Sequence, residues 1–211
     1  MSPAADVLVP TSVAEAVSAF GDGDGVTVIA GGTIVMPDIA AGRASITKAL
    51  LLSRAGLTGV SREGGTVKIG AATPLESLVG TTPEPLSTAA QRVGDFEIRS
   101  QATIGGNLCA GPGRDSPRGD LQAPLIALAA TVRSAGADGE RVQPVEEFLA
   151  ASPAGRLVLE IGFPEPERGV YVSMGRPHAH LYTVLSVACV ASGDGVRVAA
   201  GGAGPVGMRA G

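Results

Sequence analysis

The sequence of 211 residues predicts an α+β fold made of two small α/β units followed by a partial antiparallel unit. Three observations support this fold class. Short apolar runs of strand-forming residues alternate with helical stretches that begin at serine or proline. Beyond residue 170, strand-like runs follow one another without helical stretches between them. Finally, 45% of the residues are hydrophobic and 17% are charged, as in a globular chain with a real core.

The first unit begins with a helix whose N-terminus carries a capping signal. Ser12 is the predicted N-cap and Glu15 its capping-box partner, and apolar residues recur on one face of the following turns. A strand is predicted over residues 26–30, and residues 34–37 begin a short helix. The apolar run at 48–52 is typical of a buried strand.

The second unit opens with a strand at residues 66–71, and helical stretches are predicted to start at Pro74 and Pro83 because proline suits the first helical turn. Asp120 is placed to cap a helix over residues 121–128. The remaining predicted elements are strands at 131–133 and 156–163, a helix at 144–149, a linker to 169, and strands at 170–174, 183–191 and 196–200. The units are therefore expected to divide the chain into residues 1–55, 56–166 and 167–211.

Two distant glycine pairs are the most informative local feature. They lie within residues 30–34 and 103–107, among apolar segments, and both are predicted as tight turns that expose backbone N–H groups. Such turns present amides to an anion without needing a charged side chain. Together the two segments suggest the two halves of a cradle for a diphosphate.

Charge and hydropathy exclude several classes of partner. The net charge is −4, and the 16 lysines and arginines are scattered along the chain, so we expect no nucleic acid and no anionic membrane as a partner. An apolar run of about 18 residues and a secretory leader are both lacking, which predicts a cytoplasmic protein.

Metal-ligating residues are sparse. Cys109 and Cys189 fall short of the four thiolates that an iron–sulfur cluster normally needs, so any such cluster is expected in a partner. His178 and His180 have no cysteine or carboxylate nearby at metal-ligand spacing. The sequence therefore predicts no metal site.

Residues 30–33, 94–108 and 119–128, in that order, resemble the FAD-binding (medium) subunit of the molybdenum hydroxylases, the family of carbon monoxide dehydrogenase and xanthine dehydrogenase. The Thr-Ile-Gly-Gly-Asn stretch at 103–107, with Arg99 four residues before its threonine, is the most specific part. The resemblance implies a PCMH-type FAD-binding fold of two α/β subdomains. A partial C-terminal domain of the CO dehydrogenase flavoprotein type would follow them.

The resemblance also implies which residues bind FAD. Backbone amides along the first segment would surround the diphosphate, and side chains at its two glycines would block that approach. The second segment would supply a threonine hydroxyl, close backbone approach at its glycines and an asparagine amide. Asp120 would accept from a ribose hydroxyl, with Asp115 as a rival for this contact. The implied cofactor-binding residues are Ile29, Ala30, Gly31, Gly32, Thr33, Ile34, Val35, Thr103, Ile104, Gly105, Gly106, Asn107 and Asp120.

By the same resemblance, the chain is an oxidoreductase subunit that transfers electrons and needs no catalytic acid–base residue of its own. A molybdopterin-binding large subunit would oxidise the substrate. An iron–sulfur small subunit would pass the electrons to FAD, which delivers them to an external acceptor. Two alternatives keep the fold: a stand-alone FAD-dependent oxidoreductase of a biosynthetic pathway, and a non-enzymatic scaffold that has lost FAD.

Overall fold

Three β-sheets with short helices packed against them form the protein. A computed structural model describes the backbone of residues 6–111, 119–151, 155–176, 179–193, 195–204 and 206–210, and their side chains except those of residues 176 and 179–182. Within this part of the chain, the helices are all too short or too polar to cross a membrane.

The first sheet is parallel and has the strand order β1-β3-β2. Its strands are β1 (Asp6–Leu8), β2 (Val26–Ile29) and β3 (Lys48–Leu51), and the connections hold α1 (Val13–Phe20) and α2 (Val35–Ala40). The apolar run that predicted a buried strand is thus the central strand β3, in agreement with its fully buried Leu50.

The N-terminus of α1 is capped as predicted, with one difference. Ser12 Oγ accepts a hydrogen bond from the Glu15 amide at 3.2 Å. The Glu15 carboxylate accepts from the amide and hydroxyl of Thr11, at 2.7 and 2.9 Å, and not from the amide of Ser12. These hydrogen bonds lower the pKa of Glu15.

The second sheet is antiparallel and has the order β4-β5-β8-β6-β7. Its strands are β4 (Val60–Glu63), β5 (Thr66–Gly70), β6 (Thr131–Gly136), β7 (Gly139–Pro144) and β8 (Leu157–Pro164). The helical segments of this region are a 3-10 helix (Leu75–Leu78), α3 (Leu86–Gln91), α4 (Phe96–Gln101), α5 (Ile104–Leu108), α6 (Gln122–Ala127) and α7 (Val145–Ala150). The predicted start of a helix at Pro83 was wrong, because α3 begins three residues later, directly after Pro85.

The third sheet is also antiparallel, with the order β12-β11-β10-β9. It consists of β9 (Arg168–Arg176), β10 (Ala179–Ser192), β11 (Gly195–Gly201) and β12 (Met208–Arg209). Strand β9 begins two residues earlier than predicted, so Arg168 and Gly169 of the predicted linker belong to the strand. The inner face of this sheet packs on α6, and the outer face exposes apolar side chains such as Val172 and Val187.

Two clusters of buried side chains hold the sheets together. The larger one joins the second sheet, α6 and the inner face of the third sheet, where Tyr171 and Ala188 are buried. The smaller one joins the first sheet and α1 to Leu157 and Leu159 of β8. Strand β8 therefore contributes to both clusters, and it lies beside the cavity described below.

Candidate functional site

The first glycine segment packs against the two residues that come just before the second segment. A Cβ added to Gly31 would overlap the carbonyl oxygen of Gln101 and would lie 2.9 Å from the Cα atom of Ala102. Only a residue without a side chain allows the backbone of residues 30–34 to approach the end of α4 this closely. Two segments about 70 residues apart in sequence thus lie side by side.

The first segment carries unpaired backbone donors. At the end of β2, the Ile29 carbonyl accepts a hydrogen bond from the Leu52 amide at 2.9 Å. At the start of α2, the Gly32 carbonyl accepts one from the Met36 amide at 2.9 Å. Between these bonds, Gly32 has φ +70°, a left-handed conformation that favours glycine. Within the described part of the chain, no acceptor bonds the amides of residues 31–35. Five successive N–H groups are therefore available to an anion.

The second segment differs from the predicted open turn. Its glycines belong to α5, and Thr103 is the N-cap, its Oγ1 accepting from the Gly106 amide at 3.2 Å. The amides of Ile104 and Gly105 donate to Thr73 and Ala71 at 3.1 and 2.9 Å. The prediction that this segment exposes its backbone donors was wrong for residues 104–107, because acceptors within the protein already bind all four of these amides.

The two glycines of α5 have different roles. A Cβ at Gly105 would lie 2.8 Å from the Ala71 carbonyl oxygen, so the helix rests on the chain that leaves β5. Gly106 faces away from this contact, and a Cβ there would meet only Thr103 Oγ1, at 3.0 Å. One glycine therefore serves packing, and the other keeps the helix surface open.

A cavity of about 840 Å³ lies where the segments meet. This volume falls within the roughly 300–1,000 Å³ of small-molecule and cofactor sites. Of the residues expected to bind the cofactor, those that line the cavity are Ala30, Gly31, Gly32, Thr33, Ile34, Val35, Thr103, Gly105, Gly106, Asn107 and Asp120. Ile29 and Ile104 are not among its lining residues, and the Ile104 side chain is fully buried in the larger core cluster.

Asp120 lines the cavity, and the side chains of Asn107 and Thr183, which also line it, lie close to its carboxylate. Burial raises the pKa of the Asp120 carboxyl, and hydrogen bonds from the side chains of Asn107 and Thr183 oppose this rise. Asn107 Oδ1 also accepts from the Leu121 amide at 2.9 Å, so the asparagine side chain links α5 to the start of α6. The expectation that Asp120 caps the helix was wrong, since Leu121 is the N-cap and no side chain caps α6. Asp115 lies outside the described residues.

Arg99 holds in place a loop that forms part of the cavity wall. Its guanidinium donates to Glu76 Oε2 at 2.6 Å and to the carbonyls of Gln91 and Gly94 at 3.3 and 3.2 Å. The chain held in this way leads into Val93, Gly94 and Asp95, which line the cavity. The arginine that marked the sequence motif therefore positions a loop and does not itself line the cavity.

Part of the cavity lining is apolar, and no sequence pattern predicted it. It is formed by side chains from α1, β2, the residue after β3 and β8, namely Phe20, Val26, Val28, Leu52, Leu157 and Val158. These residues look like ordinary core positions in the sequence. They line the cavity because α1, the first sheet and β8 all border it.

Two of the charged side chains that line the cavity, those of Asp95 and Arg156, already have partners within the protein. Asp95 caps α4 by accepting from the Ile98 amide at 2.8 Å. Arg156 donates to Ser134 Oγ at 2.8 Å and pairs with Asp138 at 2.5 Å. An anion bound at residues 31–35 would therefore depend on backbone donors. Among the described residues, no group of three or more histidine, cysteine, aspartate or glutamate side chains is arranged to hold a metal, and the side chains of His178 and His180 lie outside this description.

Cys109 borders the cavity, and burial raises the pKa of its thiol to about 12. At pH 8 only about one thiol in ten thousand is then the reactive thiolate. We expect iodoacetamide at pH 8 to leave Cys109 unmodified in the folded chain and to modify it after denaturation. Peptide mass spectrometry checks this outcome, because it measures alkylation of Cys109 separately from alkylation of Cys189. Rapid alkylation of Cys109 in the folded protein would contradict the prediction.

Comparison with known proteins identifies the family that the sequence motifs resemble. The family model described as "FAD binding domain in molybdopterin dehydrogenase" matches residues 3–166. The carbon monoxide dehydrogenase medium chain of Hydrogenophaga pseudoflava is 32% identical over 148 residues, which cover 66% of this chain and 50% of that protein. Subunit alpha of the 6-hydroxypseudooxynicotine dehydrogenase complex of Paenarthrobacter nicotinovorans is 28% identical, over 79% of this chain and 59% of its own length. The chain thus spans only half to three fifths of these two relatives.

Solved structures share the fold. Carbon monoxide dehydrogenase from Hydrogenophaga pseudoflava superposes with a TM-score of 0.84 at 26% identity, covering 99% of this chain and 78% of the other. Quinoline 2-oxidoreductase from Pseudomonas putida 86 gives a TM-score of 0.83 at 20% identity, covering 98% of this chain and 77% of the other, a likeness of fold alone. The mixed α/β architecture expected from the sequence is thereby confirmed.

Proposed function

Because this chain belongs to the family of FAD binding domains in molybdopterin dehydrogenases, with FAD as its cofactor, we propose that it is an electron-transfer subunit of a molybdenum-containing hydroxylase or dehydrogenase. In this proposal it receives electrons from an iron–sulfur subunit and passes them through FAD to an external acceptor. Its three parts are residues 1–55 and 56–166, which hold FAD, and residues 167–211.

The observation that carries the proposal is the row of unpaired amides at residues 31–35 inside a cavity of cofactor size. A diphosphate is a group that several neutral donors bind without lysine or arginine. The amides of residues 31–35 would bind the diphosphate oxygens, and the bare surface of Gly106 leaves room for the cofactor beside them. The contact between Gly31 and Gln101 keeps the amides in place before the ligand arrives.

The other cavity residues would orient the cofactor. The Thr103 hydroxyl accepts from Gly106, so its hydrogen remains available for an oxygen of the ligand. Asp120 would accept from a sugar hydroxyl, with Asn107 holding the carboxylate in position. Bound FAD would supply the redox chemistry, and these residues would supply only binding and orientation. The chain therefore needs no acid–base residue for substrate turnover.

The partners belong to the proposal as well. The similar proteins are, by their names, a medium chain of carbon monoxide dehydrogenase, a subunit of a dehydrogenase complex and a subunit of caffeine dehydrogenase. We infer that this chain likewise assembles with a molybdopterin-binding large subunit and an iron–sulfur small subunit. The cytoplasmic location expected from the sequence stays a prediction.

Purification tests the proposal in two steps. The isolated chain is expected to be yellow, to show flavin absorbance and to release FAD, identified by mass, in a ratio of one per chain. Co-expression with a molybdopterin-binding large subunit and an iron–sulfur small subunit from the same source is expected to yield a complex that contains molybdenum and iron. A colourless chain that cannot take up FAD would indicate the empty scaffold, and an FAD-loaded chain that turns over a substrate alone would indicate the stand-alone enzyme.

A further inference from the structure

An irregularity in β10 directs a polar side chain into the cavity. Two neighbouring residues of β9, Gly175 and Met174, pair with Thr183 and Leu185 of β10. One residue step along β9 therefore matches two steps along β10, which is a β-bulge. In a regular strand Thr183 and Leu185 would share a face. The bulge separates them: Leu185 points outward and is 38% exposed, whereas Thr183 is 8% exposed and lines the cavity.

Thr183 meets a residue of the second part of the chain there. Its hydroxyl lies near enough to the Asp120 carboxylate to lower the pKa of that carboxyl, and both residues line the cavity. The third sheet therefore contributes a polar side chain directly to the cavity lining.

Tyr171 lies on the same inner face and carries an unsatisfied group. The residue is 7% exposed, and its Oη is a buried polar atom without a hydrogen-bond partner among the described residues. Burial raises the pKa of this phenol, the hydroxyls of Ser186 and Thr183 lie near enough to lower it, and the charges facing it are those of Asp120 and Arg92. A buried hydroxyl without a partner is rare and calls for an explanation.

We propose that Asp120, Thr183 and Tyr171 form a subsite for a hydroxyl-bearing part of the bound flavin nucleotide. The chemistry is complementary to a sugar or ribityl hydroxyl. Asp120 accepts the hydrogen of that hydroxyl, and Thr183 donates its one hydroxyl hydrogen to the ligand oxygen. Tyr171, which lies behind the cavity lining, donates through one water molecule. This inference rests on the proposed function, because it requires that the cavity bind a flavin nucleotide.

Tyr171→Phe distinguishes a role in FAD binding from a purely structural role. Removing an unsatisfied buried hydroxyl is expected to leave the Tm of the cofactor-free protein unchanged or to raise it. The same change is expected to weaken FAD binding roughly tenfold, by loss of one buried hydrogen bond. Thr183→Val should weaken binding to a similar extent with little change in shape.

Thr82→Val is the matched control. Thr82 is 7% exposed, donates to the Leu78 carbonyl at 2.9 Å and does not line the cavity. It is expected to lower the Tm and to leave FAD affinity unchanged. Binding is measured by titration calorimetry on cofactor-free protein, beside thermal unfolding of each variant.

Titration with fragments identifies the hydroxyls. FMN carries the ribityl chain without the ribose, and ADP carries the ribose without the ribityl chain. Weaker FMN binding by the Tyr171 and Thr183 variants assigns the subsite to the ribityl chain, and weaker ADP binding assigns it to the ribose. FAD, FMN and ADP affinities equal to wild type in both variants would overturn the subsite alone. A wild-type chain that binds none of the three would overturn the proposed function and the subsite together.

Discussion

Gly31→Ala is expected to abolish tight FAD binding and to destabilise the protein. The added Cβ would overlap the Gln101 carbonyl oxygen, which is backbone and cannot rotate away. The two glycine segments must then separate, at a cost of about 3 kcal/mol in the free energy of unfolding, as in an overpacked core. Separation also displaces the free amides, so FAD affinity is expected to fall roughly a hundredfold, the loss of two hydrogen bonds to a charged group.

Gly193→Ala is the control for this change. Its Cβ would make only an ordinary contact with Glu167 Oε1, at 3.7 Å, and it lies outside the cavity. Urea unfolding and FAD titration of both variants check the prediction. The account of how the segments meet is wrong if Gly31→Ala matches wild type in both measurements.

Gly106→Val is expected to remove FAD binding from a protein that stays folded. A side chain at this position points into the cavity and meets only Thr103 Oγ1. The valine methyl groups would occupy space next to the free amides of the first segment, and we expect FAD affinity to fall roughly a hundredfold or more, beyond the loss of one hydrogen bond. Helix α5 itself tolerates valine better than glycine.

Gly105→Val provides the contrast within the same helix. Its Cβ would press on Ala71, at 2.8 Å from the carbonyl oxygen, so this variant is expected to lose stability as well as FAD. Circular dichroism and the flavin content of the purified variants distinguish the two outcomes. A Gly106→Val protein that retains one FAD per chain would show that the cofactor does not lie beside α5.

Much of the fold was predictable where the signal is local. The capping residues before α1 and the apolar run of β3 determine their elements almost alone. The edge strands β4 and β7 were missed because their side chains are polar and mostly exposed, so neither shows the alternation of a half-buried strand. Their pairing with β5 and β6 comes from tertiary contacts.

The glycine segments show where sequence reasoning fails. Both pairs predicted turns, yet the second lies in a helix, because packing on Ala71 outweighs the low helix propensity of glycine. A signal was present: Thr103 is a good N-cap, and Ile104 and Leu108 are spaced for one buried helical face. Thr183, by contrast, was not predictable, because its direction depends on a bulge in the pairing of β9 and β10.

The structure of the purified chain with its cofactor tests the central claim most directly. The account predicts FAD diphosphate oxygens within hydrogen-bond distance of the amides of residues 31–35, with Gly106 beside the cofactor and Asp120 on a sugar or ribityl hydroxyl. A diphosphate bound elsewhere, or amides of residues 31–35 that face only water in the FAD-bound protein, would contradict it.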